Sequence, residues 1–338
     1  MPSLRESESL SRRRLLQLGA GAALALLGGC AASGGPRLVA SRGDLPQAWS
    51  KLLPAPWRLT LLEDPAAVLA SRRPAPAGGA PPALLQLSDG WLSQLTAGDL
   101  QPIGTAALLA RLSPQAAAVS RLFAAAGAPT LAWPWSVSPW VLVLRSRPDL
   151  AARAAEGWNL LLDPSLRGRL VLPSSPRIAI ALVGADPARL RQLRRAALAY
   201  DDRDGLNLLL SRKAEAVVLP RQRVLPLLRR DPRLQVILPA SGAPLSWNLL
   251  LRPASAELAP PLDWLAAILE PPLLPRLLAA GWVPPLPRPI LQAALRGFPR
   301  QQAELLLPPE PVLQRCTSLP PLSAAQRLEL QALWDSAA

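Results

Sequence analysis

Proline occupies 41 of the 338 positions, far above the ordinary share of about 5%, and no other residue type constrains this chain more. It has no backbone N–H and its ring clashes with the preceding turn, so it ends helices and is kept to the margins of sheets. The prolines are dispersed between Leu-, Ala- and Val-rich runs. That pattern predicts a folded chain of short elements separated by Pro loops, not a low-complexity coil.

Between the prolines, strand and helix signals alternate. Residues 37–40, 57–62 and 84–87 read as strands, 45–53 as a helix stopped by Pro54, and 89–97 as a short helix with Trp91, Leu92 and Leu95 on one face. Residues 129–144 form an extended segment carrying Trp133, Trp135 and Trp140, and the Pro/Ala/Gly stretch between Ser71 and Pro82 reads as a loop. The second half repeats the grammar: a buried strand at 170–172, then a helix from Pro176 through Val183 with Ser at its cap and Pro just inside. A basic helix is expected over 188–200, strands at 216–219, 234–238 and 248–251, and helices at 262–269, 273–280 and 323–334. Such alternation predicts α/β layers.

The formal charge is +14, and residues 1–29 hold four Arg against two Glu, leaving about +12 elsewhere, nearly all of it Arg. Lys is nearly absent, which fits a compositional bias toward Ala, Leu, Pro and Arg. The arginines are scattered except around 191–195 and 221–233, and no aromatic-interleaved basic groove of the kind nucleic acid requires is present. The chain has no histidine, which excludes His-based acid/base pairs, Ser-His and Cys-His nucleophiles and His-ligated metals. No Gly-rich phosphate loop follows a strand, and Asp201-Asp202-Arg203-Asp204-Gly205 lacks the spacing and closing Glu of a calcium loop. The reading is therefore of a non-enzyme without cofactor or metal. A Ser/Lys or carboxylate-pair hydrolase is the remaining enzymatic alternative.

The N-terminus adds a location. Arg12-Arg13-Arg14 precedes a mildly apolar stretch, 15–27, that is too short for a bilayer span of about 20 residues but right for a signal core. The paired arginines resemble a twin-arginine export signal, and Leu27-Gly28-Gly29-Cys30 resembles a bacterial lipobox. The expectation is a signal over 1–29, lipidation at Cys30, a small-residue tether over 30–36, and a periplasmic domain anchored to a membrane. Cys316 is the only other cysteine, so lipidation of Cys30 leaves no intramolecular disulfide.

Several motifs then fall in a familiar order. Trp158-Asn159-Leu160-Leu161-Leu162-Asp163-Pro164-Ser165-Leu166-Arg167-Gly168-Arg169-Leu170, the Ser246-Trp247-Asn248 strand followed by Arg252-Pro253-Ala254-Ser255-Ala256, and Gly281-Trp282-Val283-Pro284-Pro285 resemble the extracytoplasmic solute-binding proteins of ABC importers, in their spermidine/putrescine-binding branch. Leu87-Ser88 to Trp91 resembles that family's first cleft loop, and the run from Ala132-Trp133-Pro134 to Trp140 its hinge strand. The resemblance covers nearly all of the chain after the signal.

It implies an α/β, two-lobed periplasmic-binding-protein clamp of type II, each lobe a mixed sheet flanked by helices, with hinge crossovers near 133–140 and 246–253. The lobes are expected at 37–135 and 136–250, with 251–338 returning to lobe 1 and ending in helices. The implied function is capture of a small solute, polyamine-type, for an ABC permease by a monomeric, membrane-tethered protein. The family's amine-binding carboxylates match Ser174, Ser175 and Ile178 here, and its crossover Asp matches Asn248, so the ligand charge is no longer met where the family meets it. Candidate ligand residues are Ser88, Trp91, Trp135, Ser174, Ser175, Arg177, Asp201, Asp202, Trp247 and Asn248, with Asp89 and Asp204 as further acids. Ser174, Ser175 and Arg177 at a helix N-terminus suit a small anion instead. A non-transporting sensor or scaffold is the alternative outside transport.

Overall fold

The computed structural model describes residues 35–73 and 80–337. The signal, the lipobox cysteine Cys30 and most of the tether lie outside them. Among the described residues ten strands form one sheet: β1 (Arg37–Ser41), β2 (Arg58–Leu62), β3 (Leu84–Ser88), β4 (Leu100–Gln101), β5 (Ala132–Arg145), β6 (Leu170–Leu172), β7 (Ala197–Tyr200), β8 (Ala216–Pro220), β9 (Leu234–Ile237) and β10 (Leu245–Pro253). Their spatial order is β2-β1-β3-β10-β5-β8-β6-β7, with β4 on β10 and β9 on β5. β1, β2 and β3 are parallel, as are β6, β7 and β8, while β5 and β10 run antiparallel to their neighbours.

β5 is the strand that belongs to both halves. Residues 132–139 pair with β10, and from Trp140 onward the same strand pairs with β8 and β9. Two prolines sit inside it, Pro134 and Pro139. Val137 donates its N–H to Val283 O on the edge away from β10; Pro139, two residues on, has its nitrogen on that same edge, so no bond to β10 is lost. The register slips between Asn248 and Leu249, where Ser136 and then Pro134 are the partners and Trp135 is the extra residue of a bulge.

The second half shows why its strands are apolar throughout. Leu142 and Leu144 of β5, Leu170 and Leu172 of β6, and Ala216 and Val218 of β8 face the main core. Val141, Val143, Val171, Val217 and Leu219 face a separate cluster with Leu209 and Val224. A period of two along each strand thus fills both faces, and each buried Val or Leu contributes about 1.5–3 kcal/mol. The first half centres on tryptophans: Trp49 and Trp264 stack at 4.1 Å and exchange indole N–H bonds with each other's carbonyls, at 2.9 and 3.0 Å.

Several expected elements are shorter than their patterns. The helix expected over 45–53 is the single turn Gln47–Ser50, and the one expected over 89–97 is a 3-10 helix, Asp89–Gln94. The basic helix ends at Ala196, and 197–200 form β7, paired with β6 from Leu170↔Ala197. A free sheet edge overrides helical propensity there. Ser175 takes the cap position of the helix Pro176–Val183, but its side chain makes no capping bond.

Candidate functional site

In open α/β sheets the C-terminal ends of parallel strands form the ligand crevice, and here two such sets of ends meet. From the first half come the ends of β1 and β3, carrying Asp44 and Asp89. From the second come the ends of β6, β7 and β8, followed by Ser174 to Arg177, Asp201 to Asp204, and Arg221 to Arg223.

The first wall is built around Asp89. β10 pairs with β3 up to Asn248↔Ser88; where β3 stops, the Asp89 carboxylate takes its place and accepts the Trp247 N–H at 3.0 Å. Burial pushes the Asp89 carboxyl up to about 7, against the lowering influence of that bond and of Arg177. Trp247 itself is fully buried, and its indole N–H donates to Ser318 Oγ at 2.9 Å. Asn248 is turned inward, accepting from Gln86 Nε2 at 3.3 Å. Trp91 is half-buried against the core.

The second wall is rich in arginine. Arg177 donates to Pro320 O and is felt electrostatically by Asp89. Arg223 donates to the carbonyls of Asp202 and Arg203. Asp44, on the loop after β1, is raised by burial in spite of Arg223 and Arg203, which places an acid of the first half opposite two guanidinium groups of the second. Ser174 donates both its N–H, at 3.2 Å, and its hydroxyl to Asp202. Asp201 closes its own turn, accepting from the N–H groups of Arg203 and Asp204 at 2.7 and 2.8 Å.

The candidate ligand residues therefore separate. Ser88, Trp247 and Asn248 come together with Asp89 on one wall, and Ser174, Ser175, Arg177, Asp201 and Asp202 lie at the strand ends of the other. Trp135, fully buried like Trp247, packs 5.2 Å from Trp49 and 5.0 Å from Trp282. The donors expected to await an anion at Ser174 are taken by the chain's own Asp202. Sequence reading missed Asp44, although an acid just past the end of a first parallel strand is a usable signal. It also missed Arg221, which is buried with Nε and Nη1 unpartnered while Nη2 donates to Leu306 O at 3.1 Å. Among the described residues no group of three or more His, Cys, Asp or Glu could hold a metal ion.

Solved structures match this arrangement over nearly its full length. The spermidine/putrescine ABC transporter substrate-binding protein of Streptococcus pneumoniae superposes with a TM-score of 0.67 at 12% identity, covering 90% of this chain and 98% of that one. The corresponding lipoprotein of Treponema pallidum gives 0.60 at 14% identity, covering 89% and 98%, and a periplasmic thiamin binding protein gives 0.61 at 14%, covering 89% and 95%. The fold is that of a two-lobed periplasmic binding protein. At these identities the likeness is one of fold, and the ligands named for these relatives differ. No protein-family model matches the chain, and no curated protein matches it by sequence.

Proposed function

We propose that the chain is the solute-capturing component of an ABC importer, held outside the cytoplasm by lipidated Cys30 and acting as a monomer that hands its solute to a membrane permease. The lobes divide within β5 at Pro139 and Trp140 and again at Pro244 and Leu245. The observation that carries the reading is the meeting of the two sets of strand ends, with Asp44 and Asp89 on one wall and Arg177, Arg203 and Arg223 on the other. Capture works by a hinge equilibrium: a solute that contacts both walls stabilises the closed clamp.

The polyamine-type ligand is supported by the two acids and by the match to polyamine-binding relatives. The lost carboxylates at Ser174, Ser175 and Ile178 weigh against it, because enclosing ammonium groups without counter-charge forfeits their paired hydrogen bonds. The arginines favour a second reading, a small anion gripped by Arg177, Arg203 and Arg223.

A thermal-shift series on the full chain in detergent separates these readings. Putrescine, spermidine and spermine are run against phosphate, sulfate and simple carboxylates, each at two salt concentrations. A polyamine ligand raises the melting temperature by several degrees at a hundredfold excess over Kd, the equivalent of about 2.7 kcal/mol. A shift with anions alone moves the ligand to the arginine wall. A flat response across the panel would sink solute capture in favour of the scaffold reading.

A further inference from the structure

After Cys316 the chain runs part-exposed along the cleft and bonds to both of its sides. Thr317 forms a parallel bridge with Pro244, donating its N–H to Ala243 O at 3.0 Å and accepting from Leu245 N at 2.8 Å. Ser318 Oγ then takes the indole N–H of Trp247, and Pro320 O takes the Arg177 guanidinium. The Leu322 N–H donates to Ser93 Oγ at 2.9 Å, and Arg327 donates to Ser93 O. Within six residues the segment has bonded to the strand entry at 244–245, to the first wall twice, and to the second wall once.

Its far end is anchored as well. The helix Ala324–Ser336 starts with a capping box formed by Ser323 and Gln326 and packs on the helices Pro176–Val183 and Pro187–Ala196 of the second lobe. There Trp334 lies against Arg194, 5.1 Å from ring centroid to guanidinium carbon, and edge-on to Tyr200 at 5.7 Å. The bonds of Trp247 and Arg177 are the ones a solute in this cleft would be expected to make. The chain makes them instead.

We propose that residues 317–322 are a strap, an intramolecular occupant of the cleft that holds the two walls together in the absence of solute. The inference rests on the reading of the cleft as a solute site but concerns a different property: what closes the clamp when nothing else is bound. Trp247 and Ser93 on one lobe and Arg177 on the other are its ligands, so closure is stabilised by the C-terminal segment bonding to both walls. Opening requires the strap to let go of at least one wall.

Hydrogen exchange followed by mass spectrometry on the full chain, with no ligand added, reads this directly. The amides of Thr317 and Leu322, which donate to Ala243 O and Ser93 Oγ, should exchange at least tenfold more slowly than in the variant Ser93→Ala with Ser318→Ala. Losing the strap should also speed exchange in both walls, at 88–93 and 172–178, while 216–220 in β8 stays protected as the control for folding. A strap that exchanges at the rate of exposed chain in the wild-type protein would overturn the proposal. So would a variant in which strap protection is lost and wall exchange is unchanged. The solute panel, run on both proteins, tests the underlying reading separately: silence in both would remove solute capture and leave the strap result standing.

Discussion

Asp89 shows how one residue ties the fold to the cleft. Its carboxylate finishes a hydrogen-bond ladder that β3 is too short to complete, and burial holds its proton on up to about 7, whereas an unfolded Asp loses it near 4. Between those values the folded chain binds more protons than the unfolded one, so the group's contribution to stability falls as pH rises from about 4 to about 7 and is level above that. Asp89→Asn keeps an oxygen for the Trp247 N–H and removes the titration. The variant should match the wild type in urea unfolding at pH 4 and exceed it at pH 8 by a few kcal/mol, with about 4 as the upper bound at 1.36 kcal/mol per unit. Equal slopes with pH in the two proteins would show that Asp89 titrates normally. The sequence identified Asp89 as an acid in reach of the cleft, but not its role in the ladder, because that role depends on where β3 stops opposite β10.

Elements were legible where local chemistry and tertiary context agree. The Val- and Leu-rich runs at 170–172 and 216–219 are the strands their patterns predict, whereas Glu63-Asp64 beside Pro65 reads as a loop but Asp64 caps the helix Pro65–Ala70, accepting from the Ala67 N–H at 2.7 Å. Where the two disagree, pairing decides, as at β7. The connection into β10 depends on a contact that no local pattern reveals. Gly242 has φ near +86°, and a Cβ there would lie 2.3 Å from Arg315 O, so only glycine lets 315–317 approach closely enough for Thr317 to bridge Pro244. Gly242→Ala should cost about 1–3 kcal/mol from backbone conformation, with more from the collision, and should speed amide exchange at Thr317 and Leu245. Unchanged melting and unchanged exchange would show that the two segments are not held together there.

The whole molecule is a clamp whose halves share β5, with arginines on one wall and acids on the other. The proposed lipid anchor at Cys30 belongs to the same scale. Cys30→Ser should move the protein from the membrane fraction to the soluble periplasmic fraction without altering its melting temperature; a variant that still sediments with membranes would remove the lipid anchor. The sequence by itself determined the α/β alternation, the short Pro-bounded elements, the exclusion of His chemistry and the motif order that the fold then matched, because these rest on period, composition and neighbours close in the chain. Only the tertiary structure decided that Trp135 packs between Trp49 and Trp282, that Asp202 occupies the donors at Ser174, that Asp44 lies in the field of Arg203 and Arg223, and that the C-terminal segment bonds to both walls of the cleft. Each of these joins residues distant in sequence, and what a polar side chain is free to bind depends on which partners the folded chain has already brought to it.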